Sequence, residues 1–502
     1  MRPAMVLAMG VMLVTAGCTA GFDSGTGTGG YPVSAPCGAI GPNIPGGIAQ
    51  PDPPTDRLGW EAGVWANESL SVSQADGLTC DELELVVART MARVELLREL
   101  EFEQTPRVLL LSRDAFQQQT AGGSEPSAAV RRFENAKFEA LFMIGEGTDA
   151  IATQQRNRGV SVGGFYIPGR NVIAFIGDTP TPQINTGVLA HELVHALQDQ
   201  HFDLNSRTDM DIPMAATTDG RLGRLGLIEG DANLVEFRYE QRCTMDPAWQ
   251  NTCLIPEPGD ARSDSDGQLA SVGPFLVSFQ PYSDGPAFVE RLREQGGWER
   301  VNAAYQRVPV SAEQTIHPDR YPDDRPAEVT VPDRSAATWE RVRPPDGPAD
   351  RLGEASLLAM FMTPYFDSGR ERELIPAAEF FNRGADGELD AFDPFNYRHP
   401  YADGWEGDAL VAYTDGQDGD GYVWKLQFAS AAEAREFQTG YASLLQYHGG
   451  EELRDGVWVI RVGPFADAFR ISRSDGTIVI VNAPTVEALS AVHRPSDTTG
   501  AS

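Results

Sequence analysis

The sequence predicts an α+β molecule: a mainly helical core with a small edge sheet, followed by a C-terminal α+β unit. Three observations lead there. Apolar residues recur at helical spacing through much of residues 80–361, interrupted by one short strand and one hairpin. Beyond Trp405 the pattern becomes four short apolar strands around a single helix. A chain of 502 residues is also too long for one ordinary core, so two folded units behind a leader are expected.

The leader comes first. Met1 and Arg2 give a short positive start, Ala4 to Val14 an apolar run, and Thr15-Ala16-Gly17-Cys18 a small-residue cleavage region. Residues 1–18 resemble a bacterial lipoprotein signal, which implies lipidation of Cys18 and a place in the cell envelope, anchored or secreted. Thr15 stands where leucine is usual, so cleavage by an ordinary signal peptidase or retention as an anchor stays open. The run is too short for a comfortable transmembrane helix. Residues 19–56, rich in Gly, Ser, Thr and Pro, are expected to be a flexible tether.

A formal net charge of −32 spread along the chain argues against a nucleic-acid partner and for an acidic exterior. Lysine occurs only at 137 and 425, against many arginines. With Cys18 set aside, four cysteines remain for an oxidising compartment. Cys243 and Cys253 flank one irregular loop and are expected to pair, which leaves Cys37 to join the tether to Cys80. No C-x-x-C spacing suggests a cysteine-bound metal.

Residues 57–335 are expected to form the helical domain and 336–502 the C-terminal region. Leu83, Val86, Val87, Met91, Val94 and Leu97 predict a helix from Cys80 to Leu100. Val108 to Leu111 predicts a strand, Ala128 to Ile144 a helix, and Val160 to Ile176 a hairpin. A helix follows over His191 to Leu197, with Asn185 and Thr186 as caps. Leu227 to about Tyr239 predicts another, with Glu229 in its first turn, and then a loop-rich portion to about Gly285. Phe288 to Tyr305 suggests further helices. Pro318 to Asp350 looks like a connector, and Leu352 to Phe361 like an apolar helix. The last unit has strands at 410–413, 423–428, 457–462 and 478–481 around a helix at 431–445. The Asp-Gly clusters at 264–267 and 415–421 lack the register of a calcium loop and are expected to be turns.

The chemistry concentrates in His191-Glu192-Leu193-Val194-His195. Histidines at i and i+4 lie on one face of a helix, so both can bind one ion while Glu192 stands beside it as a base. A hydrolytic zinc site needs a third protein ligand and an open fourth position. His201 gives the histidine spacing of metzincins, with Met214 in the role of their Met-turn, but Gln198 stands where that pattern has the turning glycine. Glu229 is the other possibility.

The run His191-Glu192-Leu193-Val194-His195-Ala196-Leu197-Gln198-Asp199-Gln200-His201-Phe202-Asp203, followed by Glu229-Gly230-Asp231-Ala232, resembles largely uncharacterised bacterial gluzincin-type metallopeptidases that are secreted or lipoproteins. Further local matches are Gly164-Phe165-Tyr166, Pro281-Tyr282, Gly285, Phe288-Val289, Glu313-Gln314, His317-Pro318, Gly404-Trp405 and Gly407-Asp408. The resemblance implies a zincin-like metallopeptidase core, Zn2+ held by His191, His195 and Glu229, and a peptide or protein substrate. Glu229 lies farther from the second histidine than in thermolysin-like enzymes. Glu192 would be the catalytic base. His317, then Tyr282 and Tyr166, are candidates to stabilise the oxyanion. Asp231, Asp199 and Asp203 could orient an imidazole. The expected activity is peptide hydrolysis outside the cytoplasm, with contact to a membrane only through the N-terminal lipid. A non-catalytic envelope lipoprotein and a zinc hydrolase of another amide or ester are the alternatives, and the sequence does not disclose the oligomeric state.

Overall fold

The structure, a computed structural model, describes residues 57–74, 77–111, 116, 125–176, 184–204, 217–255, 269–417 and 419–495. The expected leader and tether, with Cys18 and Cys37, lie outside these residues, as does Met214. The molecule is α+β.

A short hairpin (β1, Trp60–Glu61; β2, Val64–Trp65) precedes helix α1, Cys80–Arg98. Thr79 and Glu82 close a reciprocal capping box at its start, which satisfies two backbone N–H groups left over by the first turn. Strand β3 (Arg107–Leu111), helix α2 (Ala128–Ala140) and helix α3 (Ala150–Ser161) follow. Helix α3 escapes the sequence reading because Gln154, Gln155, Arg156 and Arg158 blur any apolar face. Strands β4 (Gly164–Ile167) and β5 (Val172–Ile176) form the expected hairpin, turning at Gly169 and Asn171, both with positive φ. With β3 parallel to β5, the sheet order is β3-β5-β4.

Next come α4 (Thr186–Phe202), α5 (Thr218–Met245), α6 (Val272–Ala304) and α7 (Glu313–Ile316). Two of these depart from expectation. Helix α5 begins at Thr218, capped by the Thr217 side chain, so Glu229 sits in the middle of a 28-residue helix and not in its first turn. Glycines at 220, 223, 226 and 230 hide the helical pattern. Helix α6 begins at Val272, inside the expected loop, because Pro281 and Pro286 read as breakers yet are carried within the helix. It bends where Gly296 and Gly297 leave helical geometry.

The C-terminal region adds β6 (Glu340–Arg341), α8 (Gly353–Asp367), α9 (Ala377–Phe380), β7 (Trp405–Thr414), β8 (Asp420–Phe428), α10 (Ala431–Tyr447), β9 (Glu451–Arg454), β10 (Val457–Val459), β11 (Ala468–Ser474), β12 (Thr477–Ala483) and α11 (Leu489–Val492). Its seven strands run in the order β6-β7-β8-β12-β11-β10-β9. Strand β11 is absent from the sequence reading although Phe469 and Ile471 alternate with Arg470 and Ser472, as in a half-buried strand.

Apolar packing crosses residue 335. One apolar cluster joins Phe138, Leu222, Leu276 and Ile316 to Leu357, Trp405, Trp424 and Phe437. A second, around α1, α4 and α5, holds Val86, Met91, Leu193, Leu197, Leu227 and Val235. Polar contacts cross the same line. Asp350 accepts from the Thr218 backbone N–H and hydroxyl at the start of α5, and Asp219 accepts from Ser311, Ala312 and Arg351.

Candidate metal centre

Helix α4 starts where the Asn185 side chain accepts from the Gly187 backbone N–H, and ends at Asp203 in the left-handed conformation. Val188, Leu189, Leu193, Val194 and Leu197 are all buried, so the helix is enclosed on most of its circumference. His191 and His195 project from successive turns of one face, their rings edge to face at 4.7 Å between centroids.

Helix α5 brings the third group. Side chains at positions 223, 226 and 230 would collide with Ser311, Thr315 and Gly285, and a Cβ on Gly230 would lie 2.3 Å from the Gly285 carbonyl oxygen. Glycine lets α5 and α6 meet backbone to backbone beside Glu229.

His191 Nε2 and His195 Nε2 lie 3.0 Å apart. Glu229 Oε2 is 3.3 Å from the first and 3.4 Å from the second, and all three residues are wholly buried. Two nitrogens and one oxygen thus converge on one point in a group able to hold a metal ion. Glu192 is equally buried, and among the described residues neither of its carboxylate oxygens has a hydrogen-bond partner. A side-chain carbon on Gly164 of β4 would lie 3.5 Å from Glu192 Oε1, which puts the start of that strand against the carboxylate.

Burial pushes the Glu192 carboxyl up to about 7, against the opposing pull of the two imidazoles. Burial also opposes charge on His191, but hydrogen bonds to Glu229 and Glu236 overcome it and raise that imidazole to about 10. Glu229 moves the other way. Burial works against its charge, yet His195 and the hydrogen bonds from both rings hold it down at about 2.

The outer nitrogen of each ring is anchored. His191 Nδ1 lies 3.1 Å from Glu236 Oε2, and His195 Nδ1 lies 2.8 Å from Gln198 Oε1. Gln198 also donates to the Ile228 carbonyl at 2.9 Å, tying α4 to the turn of α5 that carries Glu229. Sequence reasoning missed both anchors, although Gln198 follows His195 by three residues and Glu236 follows Glu229 by seven.

The aspartates expected in that role are placed elsewhere. Asp231 is paired with Arg98 and accepts from Tyr305, Asp199 accepts from Tyr166 and Gly169, and Asp203 ends α4. His201 Nε2 lies 2.7 Å from the Glu101 carbonyl and is outside the ligand group.

Comparison with known proteins reaches only the C-terminal region. Residues 340–493 match the family model of a domain of unknown function, DUF8575. No curated protein and no solved structure matches the chain. The matched segment contains none of His191, His195 and Glu229.

Of the other expected site residues, His317 contacts Glu354, with its Nε2 3.1 Å from both carboxylate oxygens. Burial, with Arg320 and Arg398 nearby, lowers His317 to about 4, and burial raises Glu354 well above its ordinary value. His317 lines a cavity of about 760 Å³ with Glu313, Arg320, Arg398 and Asp403, and none of the three ligands lines it. The Tyr282 ring stacks on Phe279, while the Tyr166 hydroxyl is engaged by Asp199.

Cys243 and Cys253 are disulfide-bonded with Cα atoms 5.8 Å apart. Cys80 is disulfide-bonded as well, and its expected partner Cys37 lies outside the described residues. No helix among the described residues is long and apolar enough to cross a membrane.

Proposed function

We propose that this chain is a zinc-dependent, gluzincin-type peptidase working outside the cytoplasm, with a zincin-like helical core. His191, His195 and Glu229 hold the ion, and Glu192 is the base. The observation that carries the reading is the ligand triangle, with edges of 3.0, 3.3 and 3.4 Å. Tetrahedral zinc with bonds of about 2.0–2.1 Å sets neighbouring ligand atoms roughly 3.3 Å apart. Three protein ligands in place of four suit a catalytic site and not a structural one.

The bound ion would supply Lewis acidity, favouring ionisation of a water and polarising a carbonyl. Glu192 does the proton work. Its unpartnered carboxylate takes the proton from the water that adds to the scissile carbonyl carbon, then delivers it to the amine nitrogen as the C–N bond breaks. Gln198 and Glu236 hold the imidazoles in orientation throughout. Strand β4 is one of the two edge strands of its sheet among the described residues, so an extended peptide added to it would run past Glu192. The lipoprotein-like segment ending at Cys18 supports the extracytoplasmic location.

The test is zinc content of the purified chain together with cleavage of a peptide library by wild type and Glu192→Gln. Wild type should carry zinc and cleave. The variant should keep its zinc and lose about 10²–10⁴-fold in rate. Absence of zinc, or equal cleavage by both proteins, overturns the reading.

A further inference from the structure

We propose that Glu139, Glu146 and Asp467 form a second cation site, suited to a hard divalent ion of the calcium class. The site is remote in sequence from the histidine centre and joins the first half of the chain to the C-terminal sheet. Glu139 lies in the last turn of α2, Glu146 in the turn that follows, Asp467 just before β11, and Asn482 on β12 opposite Phe469. The Glu146 backbone N–H donates to the Pro464 carbonyl, which fastens that turn against the segment leading to Asp467.

Each of the three acids offers an oxygen within 4.8 Å of the others. Calcium–oxygen bonds of 2.3–2.6 Å let two ligands of one ion lie up to about 5 Å apart. The donors are all oxygens, the preference of a hard ion, in contrast to the nitrogen-rich histidine site.

A cluster of acids alone would not point to a ligand, but two of these are buried with an oxygen that receives no N–H or hydroxyl donor among the described residues. Glu139 is 8% exposed and Asp467 2%, and what Glu139 Oε1 and Asp467 Oδ1 lack from donors is met only by other carboxyls, Glu139 against Asp467 and Asp467 against Glu146. The hydrogen bond made to Asp467 by Asn482 Nδ2, at 2.6 Å, falls on its other oxygen. The strongest charge influences on Glu139 and Asp467 are other carboxylates, and no arginine or lysine is among them. Buried carboxylates facing one another need either shared protons or a cation between them. The C-terminal end of α2 adds its own partial negative charge, which favours the cation. Glu146 is exposed and gives an ion a way in.

The experiment uses the full chain loaded with zinc. Terbium stands in for calcium, because the buried phenols of Tyr422 and Tyr441 interact with Glu139 and can sensitise its luminescence. Wild type should show tyrosine-sensitised terbium emission that calcium displaces, and millimolar calcium should raise its melting temperature. Glu146→Gln changes an exposed residue and spares the core. It should weaken terbium binding about tenfold or more and abolish the calcium-dependent rise, with zinc content unchanged. Absence of a calcium effect in wild type overturns the proposal in favour of shared protons. An undiminished effect in Glu146→Gln overturns it in favour of diffuse binding to the acidic surface.

Discussion

At the scale of residues, the histidine centre depends on two side chains that do not join the ligand group. Gln198 and Glu236 fix which nitrogen of each imidazole faces inward. Replacing either by alanine should weaken zinc binding by about 10–100-fold, read by competition with a chromophoric chelator. The protein should stay folded by circular dichroism. This layer was only partly legible in the sequence. His191, Glu192 and His195 announce themselves because a single helical turn fixes their geometry. Glu229 was reached through a resemblance, since no spacing rule predicts which turn of a separate helix will cross α4. Gln198 was noticed only as an obstacle to a metzincin turn, yet it is the residue that orients His195. Asp231 looked like an anchor by its closeness to Glu229, but it faces the other way along α5, where Arg98 neutralises it at 2.8 Å.

At the scale of elements, glycine and proline carry information that periodicity misreads. Helices α1 and α4 were legible because their apolar residues repeat and their caps are conventional. The first turns of α5 and α6 were not, because Gly223, Gly226, Gly230, Pro281 and Pro286 look like breaks. The glycines are sites of close helix contact and the prolines are carried within the helix. Gly230→Ala should therefore do more than an ordinary helix substitution, which would favour alanine. Its methyl group would meet the Gly285 carbonyl and force α5 from α6. Destabilisation of about 1–3 kcal/mol is expected, with loss of zinc, measured by urea unfolding and metal analysis. A variant as stable and zinc-loaded as wild type would show that the two helices are not in backbone contact. Helix α8 shows a different dependence on tertiary structure. No side chain of its own caps it, and Asp408 of β7 accepts from the Leu352 and Gly353 N–H groups instead, along with both indoles of Trp405 and Trp424.

At the scale of the whole molecule, the shared apolar cluster and the Asp350 and Arg351 contacts make the two halves interdependent. Residues 57–335 expressed alone should fail to give a cooperative melt or to bind zinc, since the start of α5 would lose its partners. A soluble, zinc-binding fragment would refute this. Stability should also depend on pH in two opposing ways. Burial raises Asp393 and Asp408 to about 6, and Asp284 and Glu354 well above their ordinary values. These groups bind protons more tightly when folded. Their contribution is fully present below the ordinary carboxyl range and is lost as pH rises through 6 and beyond. Burial lowers His317, His448 and His493 to about 4, so their contribution is present above the ordinary imidazole range and is lost as pH falls toward 4. The carboxyls outnumber the imidazoles, and Glu95 and Glu240 are raised to about 7 and Glu313 to about 8, so stability should fall as pH rises above about 6, to be tested by denaturant unfolding across pH 4–9. A stability that climbs steadily into alkaline pH would contradict it.

The amide of Gln198 touches both ligand-bearing helices, through His195 on one side and the Ile228 carbonyl on the other. It works as a gauge on the aperture between them. An ion with longer bonds, such as cadmium, must stretch one of those two hydrogen bonds to settle among the ligands. The fold would thereby discriminate among ions by radius, through a residue outside the coordinating set.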